Sequence, residues 1–352
     1  MVLLLPSVWL LRGSEFNQRL KPWQVDWQIS ERPKKPWPTI PNLVHYAYLM
    51  EDVDGDLNLK FEDFLSVYSS LLYFDPETIF IHTDASPQSL ARARNPENEN
   101  SKWTRKILDL PRVVVRYGTA PIYADNGEKI RNLPNRSDFL RAKVVHEFGG
   151  IYFDFDVFPL RDFKPFREAG FANVVGLEKY ENINTGCYMS VKGSELMRVW
   201  LKHEHIVYDG GWITHAVTLL TKIVRRVHRI PYEVLILGKD TWAPISWEVE
   251  EASKLYSTHP DARPSKLDLD PERELGTGDL ESLFEKAPKL EEWQRDWSAT
   301  YAIHAFKSEP DKIENWDGYS VKYVLSRKSN LGIALYPAVT HAIEAGYISA
   351  DD

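Results

Sequence analysis

The sequence predicts an α/β domain built around a parallel sheet, and three observations support that prediction. Apolar β-prone segments and a helical segment alternate between residues 41 and 83, a strand–helix–strand rhythm that is typical of parallel sheets. The 352 residues have a hydrophobic content of 43%, which is ample for one large core. A helix, a Gly-Gly break and a buried strand ending in two aspartates follow one another over residues 137–159.

The sequence of residues 1–40 predicts an extended arm outside the folded domain. Residues 1–11 (MVLLLPSVWLL) are apolar, but a bilayer-spanning helix needs about 20 such residues. They also lack the basic start and the small-residue cleavage site of a signal peptide. This segment could be a remnant membrane anchor, a surface-docking segment or a strand packed on the body. Residues 21–41 carry several prolines between tryptophans, which favours an extended chain.

One folded domain is predicted over residues 41–352, because strand and helix signals continue to the end of the chain. A charged, proline-containing stretch over about residues 255–290 predicts a surface insertion. In chain order, the predicted elements are a strand at 41–46, a helix at 61–72, strands at 78–82 and 113–116, a helix and strand within 137–153, strands at 174–177 and 187–191, helices at 194–205 and 213–228, a strand at 301–304, and helices at 320–328 and 331–343.

Composition argues against nucleic-acid binding and excludes two kinds of cysteine-based structure. The net charge is −8 and no basic stripe occurs, which argues against a nucleic-acid partner. The single cysteine, Cys187, excludes an internal disulfide framework and a cysteine-rich zinc site.

Residues 137–159 (SDFLRAKVVHEFGGIYFDFDVFP) concentrate the polar groups that could carry chemistry. Asp138 and Arg141 are three residues apart and share a face of the predicted helix. Asp154 and Asp156 are two residues apart, so in an extended chain their carboxylates point the same way.

Two converging carboxylates are costly unless a cation or a shared proton relieves their repulsion. Mg²⁺ and Mn²⁺ prefer oxygen ligands and often share them with a substrate phosphate. The pattern therefore indicates a metal–diphosphate site fed by a sugar nucleotide. A solvated acidic turn is the alternative, because a D-x-D pattern is short and common.

The motif S-D-x-x-R (residues 137–141), followed by G-G-I-Y-x-D-x-D (residues 149–156), resembles glycosyltransferase family 32. It is also similar to the glucosyltransferase domain of the large clostridial toxins. The resemblance implies a GT-A fold, with a Rossmann-like mixed sheet flanked by helices. It implies a retaining hexosyltransferase that depends on Mn²⁺ or Mg²⁺. The donor would be a nucleoside-diphosphate sugar, a UDP-hexose or GDP-mannose, and the acceptor a hydroxyl of a glycan, glycolipid or small molecule.

The resemblance also implies roles for particular residues. The implied catalytic residues are Asp138, Arg141 and Asp156. The implied donor-binding residues are His45, Asp138, Arg141, Tyr152, Asp154 and Asn184. The implied metal ligands are Asp154, Asp156 and His304. A buried structural role is the alternative for His45, and the family's Gly-Ser-Trp-like segment after the late histidine is replaced here, so Lys307 or Ser308 would have to stand in.

Two other classes of function stay open. A metal-dependent phosphohydrolase would also use paired aspartates, but it should show further Asp or His ligands in register. A non-catalytic sugar-binding module is the second, and the intact residues of the motif argue against it. The resemblance suggests a Golgi or secretory membrane location, and the sequence does not exclude the cytoplasm.

Overall fold

The computed structural model describes residues 36–266, 290–306 and 309–352. Most of the predicted arm (residues 1–40) and residues 267–289 of the predicted insertion lie outside these ranges. Within them the strands are β1 (Leu43–Tyr48), β2 (Thr78–Thr83), β3 (Val113–Tyr117), β4 (Gly150–Phe153), β5 (Val157–Pro159), β6 (Asn173–Leu177), β7 (Ile183–Ser190), β8 (Val234–Leu237) and β9 (Ala302–His304).

The helices of the described residues flank these strands. They are α1 (Phe61–Phe74), α2 (Pro87–Arg94), α3 (Lys102–Leu108), α4 (Leu133–Phe148), α5 (Lys164–Arg167), α6 (Glu195–Val207), α7 (Leu219–Val227), α8 (Lys239–Trp242), α9 (Val249–Tyr256), α10 (Val321–Ser326) and α11 (Asn330–Glu344). A π-helical turn, Thr214–Thr218, leads directly into α7, and short 3₁₀ turns lie at Glu99–Ser101, Lys179–Glu181 and Pro310–Lys312.

Seven of the strands form one sheet in the order β3-β2-β1-β4-β7-β6-β8. Strands β1 to β4 are mutually parallel, and β7 runs antiparallel to both β4 and β6. The predicted fold class, a mixed α/β sheet flanked by helices, is confirmed. Because β7 is antiparallel to β4, its first residues lie beside the carboxyl end of β4, where Phe153 pairs with Cys187. Ligand sites of open α/β sheets commonly lie at this carboxyl edge.

Helix α4 begins four residues before the predicted start. The side chain of Asn132 accepts a hydrogen bond from Asn135 N at 2.8 Å, and Pro134 occupies the first turn. Both features stabilise a helix N-terminus. The helix ends at Gly149, whose φ of 70° lies in the left-handed region that glycine tolerates.

One strand prediction needs correction, and one is confirmed. Strand β7 begins at Ile183, four residues earlier than predicted, so Asn184 lies in the sheet and not in the loop before it. The predicted strand at residues 301–304 is confirmed as β9, which pairs with β5 in a separate two-stranded antiparallel sheet.

Among the described residues, no helix is both long and apolar enough to cross a membrane.

Candidate active site

The two aspartates of the D-x-D pattern lie in the turn that joins β4 to β5. Asp154 N donates to Gly186 O on β7 at 2.8 Å, and Val157 N donates back to Asp154 O at 3.0 Å. The prediction that Asp154 and Asp156 lie in an extended chain is therefore wrong. A tight turn, and not strand alternation, brings the carboxylates of Asp154 and Asp156 to the same place.

His304 completes a group of three candidate metal ligands. It pairs with Val157 across the β5–β9 sheet, and its Nε2 lies 3.4 Å from Asp156 Oδ1. One ligand atom from each of Asp154, Asp156 and His304 lies within 4.8 Å of the others. Gly186 leaves room for this group, because a Cβ there would lie 2.6 Å from His304 Cε1 and 2.8 Å from Asp154 Oδ2.

The electrostatics of this group favour a bound cation. Burial raises the pKa of the Asp154 carboxyl, Arg141 opposes the rise, and the nearby carboxylate of Asp156 adds to it. Burial alone would lower the pKa of His304, but Asp156 and Asp154 outweigh it, so that pKa lies above the ordinary histidine value. The carboxylates therefore repel each other and attract positive charge.

Arg141 connects the long helix α4 to this turn. Its Nη2 lies 2.7 Å from Asp138 Oδ1, and its Nη1 lies 3.2 Å from Asp154 Oδ2 and donates to Thr185 O at 2.9 Å. The side chain is buried, and the guanidinium carbon lies 5.1 Å from the centroid of the Tyr152 ring. Burial alone would lower the pKa of Arg141, but Asp138 and Asp154 raise it well above its usual value.

Two buried residues that the sequence analysis did not identify interact with Asp138. The Nε2 atom of His215, on the π-helical turn, lies 2.9 Å from Asp138 Oδ2, and the ring is fully buried. Glu204 on α6 is also fully buried, and burial together with the negative charge of Asp138 raises its pKa well above the usual value. These residues lie more than 60 positions from Asp138, so no local spacing could have revealed them.

Asn184 holds the base of the site together without lining the cavity. Its Nδ2 lies 3.0 Å from Glu178 Oε2 and 2.7 Å from His304 Nδ1. Its Oδ1 accepts from the backbone nitrogens of Gly186 and Cys187. Burial raises the pKa of Glu178 to about 7. Asn184 therefore orients the candidate ligand His304, and Glu178 is a further polar group of the site.

The other two predicted donor-binding residues are buried beneath the site. Tyr152 OH donates to Asp154 Oδ1 at 2.7 Å, so it orients that carboxylate. His45 Nε2 lies 2.8 Å from Gly149 O, and its Nδ1 lies 3.0 Å from His82 Nε2. The structure does not bring His45 to the cavity lining, and its contacts are those of the structural alternative.

A cavity of about 950 Å³ opens over these groups. This volume is near the upper end of ligand pockets, about 300–1,000 Å³. Its charged lining consists of Asp138, Arg141, Asp154, Asp156, Glu178 and His304. Its aromatic lining consists of Tyr48, Tyr180, Trp212, Trp247 and Phe306. Lys307 and Ser308, predicted as stand-ins, lie outside the described residues.

Comparison with known proteins agrees with the geometry. The family described as "Glycosyltransferase sugar-binding region containing DXD motif" matches residues 62–175. The chain is 24% identical over 243 residues to "Glucan organizing enzyme 1" of Cryptococcus neoformans var. grubii serotype A, covering 65% of this chain and 60% of that protein. The chain thus spans less than two thirds of that relative. The resemblance drawn from the D-x-D region is confirmed.

Solved structures of glycosyltransferases are also similar to the chain. A structure titled "PaToxG Glycosyltransferase" is 16% identical, with a TM-score of 0.39, over 56% of this chain and 72% of that one. Apo GlyE of Streptococcus pneumoniae TIGR4 is 12% identical, with a TM-score of 0.33, over 55% of this chain and 45% of that one. Mouse xyloside xylosyltransferase 1 is 10% identical, with a TM-score of 0.32, over 58% of this chain and 87% of that one.

Proposed function

We propose that this chain is a glycosyltransferase, as its match to the DXD sugar-binding region supports. In this proposal it transfers a hexose from a nucleoside-diphosphate sugar to a hydroxyl acceptor, with retention of anomeric configuration. The donor is a UDP-hexose or GDP-mannose, and the cofactor is Mn²⁺ or Mg²⁺. The acceptor is a hydroxyl of a glycan, a glycolipid or a small molecule.

One observation carries the proposal. Arg141 joins Asp138 to Asp154, and Asp154 belongs to the Asp154–Asp156–His304 group on the wall of the same cavity. A sugar nucleotide needs hydroxyl-binding groups for its hexose and a cation for its diphosphate. The two kinds of group lie side by side here, bridged by one guanidinium.

Asp138 is suited to hold the hydroxyls of the donor hexose. Its two oxygens contact Arg141 and His215, which fix the orientation of the carboxylate. Each carboxylate oxygen has a second lone pair that can accept from a sugar hydroxyl. Arg141 supplies positive charge at the cavity wall and holds Asp138 and Asp154 in their relative positions.

Asp154, Asp156 and His304 fit a divalent cation, because their ligand atoms cluster within 4.8 Å. Burial, together with the smaller effect of the Asp156 carboxylate, raises the pKa of Asp154. A bound cation neutralises charge developing on the leaving nucleoside diphosphate. We propose Mn²⁺ in preference to Mg²⁺, since one of the three ligands is an imidazole and Mg²⁺ favours oxygen. Asn184 and Tyr152 hold His304 and Asp154 in place.

Retention is proposed to arise by attack on the face that the leaving group vacates. The acceptor oxygen forms a bond to the anomeric carbon while the bond from that carbon to the diphosphate oxygen breaks. The nucleoside diphosphate keeps the electron pair and receives the proton of the acceptor hydroxyl. This route needs no protein nucleophile, so no covalent intermediate is expected.

Location in a Golgi or secretory membrane, with association through residues 1–11, is also a proposal. Fractionation of cells that express the full chain and a chain lacking residues 1–11 tests it. Release of the shortened chain from the membrane fraction is the expected result.

The enzymatic proposal is tested by incubating the protein with a panel of UDP and GDP sugars and following release of the free nucleotide. We expect hydrolysis of at least one donor, loss of that activity in EDTA and recovery with Mn²⁺. Stereochemistry is read by proton NMR of the first product formed. Release of phosphate from simple phosphate esters at a higher rate than from any sugar nucleotide would favour the phosphohydrolase. Tight donor binding without turnover, with any acceptor tried, would favour the sugar-binding module.

A further inference from the structure

A run of aromatic rings leads from the candidate metal ligands to the outer part of the cavity. The ring centroids of His304 and Phe306 are 3.9 Å apart, and the two rings are stacked. Phe306 lies 5.6 Å from Trp247, and Trp247 lies 6.3 Å from Tyr180. We call Phe306, Trp247 and Tyr180 the aromatic wall. Trp247 keeps 47% of its surface exposed and Tyr180 keeps 67%, so the outer rings are open to a ligand.

Hydrogen bonds and ion pairing fix the outer end of the aromatic wall. Tyr180 and Glu181 have φ values of 62° and 56°, which are unfavourable for residues other than glycine. Such conformations persist only where neighbouring structure holds them, and they are frequent at ligand sites. Here Tyr180 OH donates to Glu248 Oε1 at 3.0 Å, and Lys179 pairs with the same carboxylate. Both contacts join the Tyr180 turn to the segment that carries Trp247.

The polar groups beside the aromatic wall indicate what kind of ligand it suits. Glu178 and Asn182 line the same cavity, and their side chains can bond hydroxyl groups. A pyranose ring presents a face of C–H groups, which packs on an aromatic ring, and a rim of hydroxyls. A lipid surface would instead favour basic side chains, whereas Glu178, Glu248 and Asp156 place carboxylates here.

We infer that the aromatic wall is the acceptor subsite and that the acceptor is a saccharide chain. Its sugar rings pack on Trp247 and Tyr180, and its terminal hydroxyl reaches toward the carboxylates near His304. Trp212, 65% exposed on the lining of the same cavity, offers a further ring to the saccharide. The inference rests on the proposed function, because it names the acceptor of that reaction.

The test measures saccharide binding separately from donor turnover. The full chain, with Mn²⁺ and either UDP or GDP present, is titrated with hexasaccharides of glucose, mannose, xylose and N-acetylglucosamine in their common linkages. Binding is followed by calorimetry and by saturation-transfer NMR. We expect saturable binding of at least one probe. Trp247→Ala and Tyr180→Ala should each weaken it about tenfold, the loss typical of truncating an aromatic anchor.

The matched control is Tyr117→Ala, which removes another strongly exposed tyrosine, 72% exposed, from edge strand β3 outside the cavity lining. It should leave both saccharide binding and melting temperature unchanged.

The inference is overturned if no probe binds, or if the Trp247 and Tyr180 variants bind as wild type does. It is also overturned if those variants lose binding to phosphatidylcholine vesicles while no saccharide binds. Donor hydrolysis by the same wild-type sample separates the two ideas. Hydrolysis without saccharide binding removes only the acceptor assignment, and saccharide binding without hydrolysis of any donor removes the proposed transfer reaction.

Discussion

Arg141 Nη1 lies 3.2 Å from Asp154 Oδ2, and this contact ties the middle of helix α4 to the turn that carries the D-x-D aspartates. The same guanidinium is paired with Asp138 at 2.7 Å. The arginine is buried, so these contacts are poorly screened by solvent. An ion pair between two exposed residues on one helix face would contribute little. The structure makes Arg141 part of both the fold and the site.

Arg141→Ala should therefore lower both stability and turnover. Removing one partner of a buried ion pair leaves the carboxylates of Asp138 and Asp154 uncompensated, which typically costs about 3–5 kcal/mol. Donor turnover should fall by about 100-fold or more, because a positioned charge at the reacting centre is lost. Chemical denaturation and nucleotide release by the same preparation measure the two effects.

Arg198→Ala is the matched control for that substitution. Arg198 pairs with Glu195 three residues away on α6, but both side chains are substantially exposed. Its loss should cost no more than about 1 kcal/mol and should not change turnover. Arg141→Lys should recover part of the stability and little of the turnover, since an ammonium cannot contact both carboxylates as a guanidinium does. A folded Arg141→Ala protein with nearly normal turnover would remove Arg141 from the site.

Asp156→Asn should weaken Mn²⁺ binding strongly, with little effect on the fold. The side chain is 27% exposed at the cavity, and its removal lessens the repulsion with Asp154. Losing even an outer-shell partner typically weakens metal affinity about 10–100-fold, and losing a ligand should cost at least as much. The measurement is the Mn²⁺-induced rise in melting temperature, which follows affinity. Asp125→Asn, at an aspartate 80% exposed, should keep the wild-type rise. An undiminished rise in Asp156→Asn would exclude this carboxylate as a ligand.

Local sequence patterns predicted most of the elements because each depends on near neighbours. Residues close in sequence define three such features: the apolar spacing of α1, the Ser194 cap of α6 and the Gly-Gly end of α4. The prediction for the start of α4 is wrong because the cap at Asn132 precedes residues 137–159, the stretch on which that prediction rests.

The site was predictable only where its residues fall within one short motif. Asp138, Arg141, Asp154 and Asp156 belong to such a motif, and the structure brings them together. His215 and Glu178 reach the site through strand order and helix packing, which depend on distant contacts. The resemblance implied a donor-binding role for His45, but its side chain is buried and contacts Gly149 and His82, and no local spacing in the sequence reveals these contacts.

The buried pair of His45 and His82 should make the protein sensitive to acid. Burial lowers the pKa of His45 to about 4 and that of His82 to about 3, both below the ordinary value of 6.5. Between pH 6.5 and those values the unfolded chain binds protons that the folded chain does not. The stabilising contribution is therefore complete above pH 6.5 and is lost as pH falls toward 4.

In that window, each histidine should increase the slope of the unfolding free energy against pH by at most about 1.4 kcal/mol per pH unit. His82→Gln should reduce the slope of unfolding free energy against pH by about one such contribution. Urea unfolding from pH 4.5 to 7.5 measures it. An unchanged slope in His82→Gln would mean that His82 is not held neutral in the fold.

Gly186→Ala should damage the metal-ligand group through a single methyl group. The added Cβ would lie 2.6 Å from His304 Cε1 and 2.8 Å from Asp154 Oδ2, both shorter than any ordinary contact. The backbone of Gly186 is held by Asn184 and by Asp154 N, so it cannot retreat. The side chains of His304 and Asp154 must therefore move, and the three ligand atoms separate.

We expect Mn²⁺ affinity to fall about tenfold or more, as when the support of a ligand is lost, and turnover to fall with it. The crowding should also lower stability by about 1–3 kcal/mol. Gly238→Ala is the control, because a Cβ there meets nothing within 4 Å and its φ of −63° suits alanine. That variant should bind Mn²⁺ and turn over donor as wild type does. Calorimetric Mn²⁺ titration of both variants gives the answer. Equal affinities would show that Asp154 and His304 do not share one cation, since the methyl group at position 186 cannot fit between them without separating them.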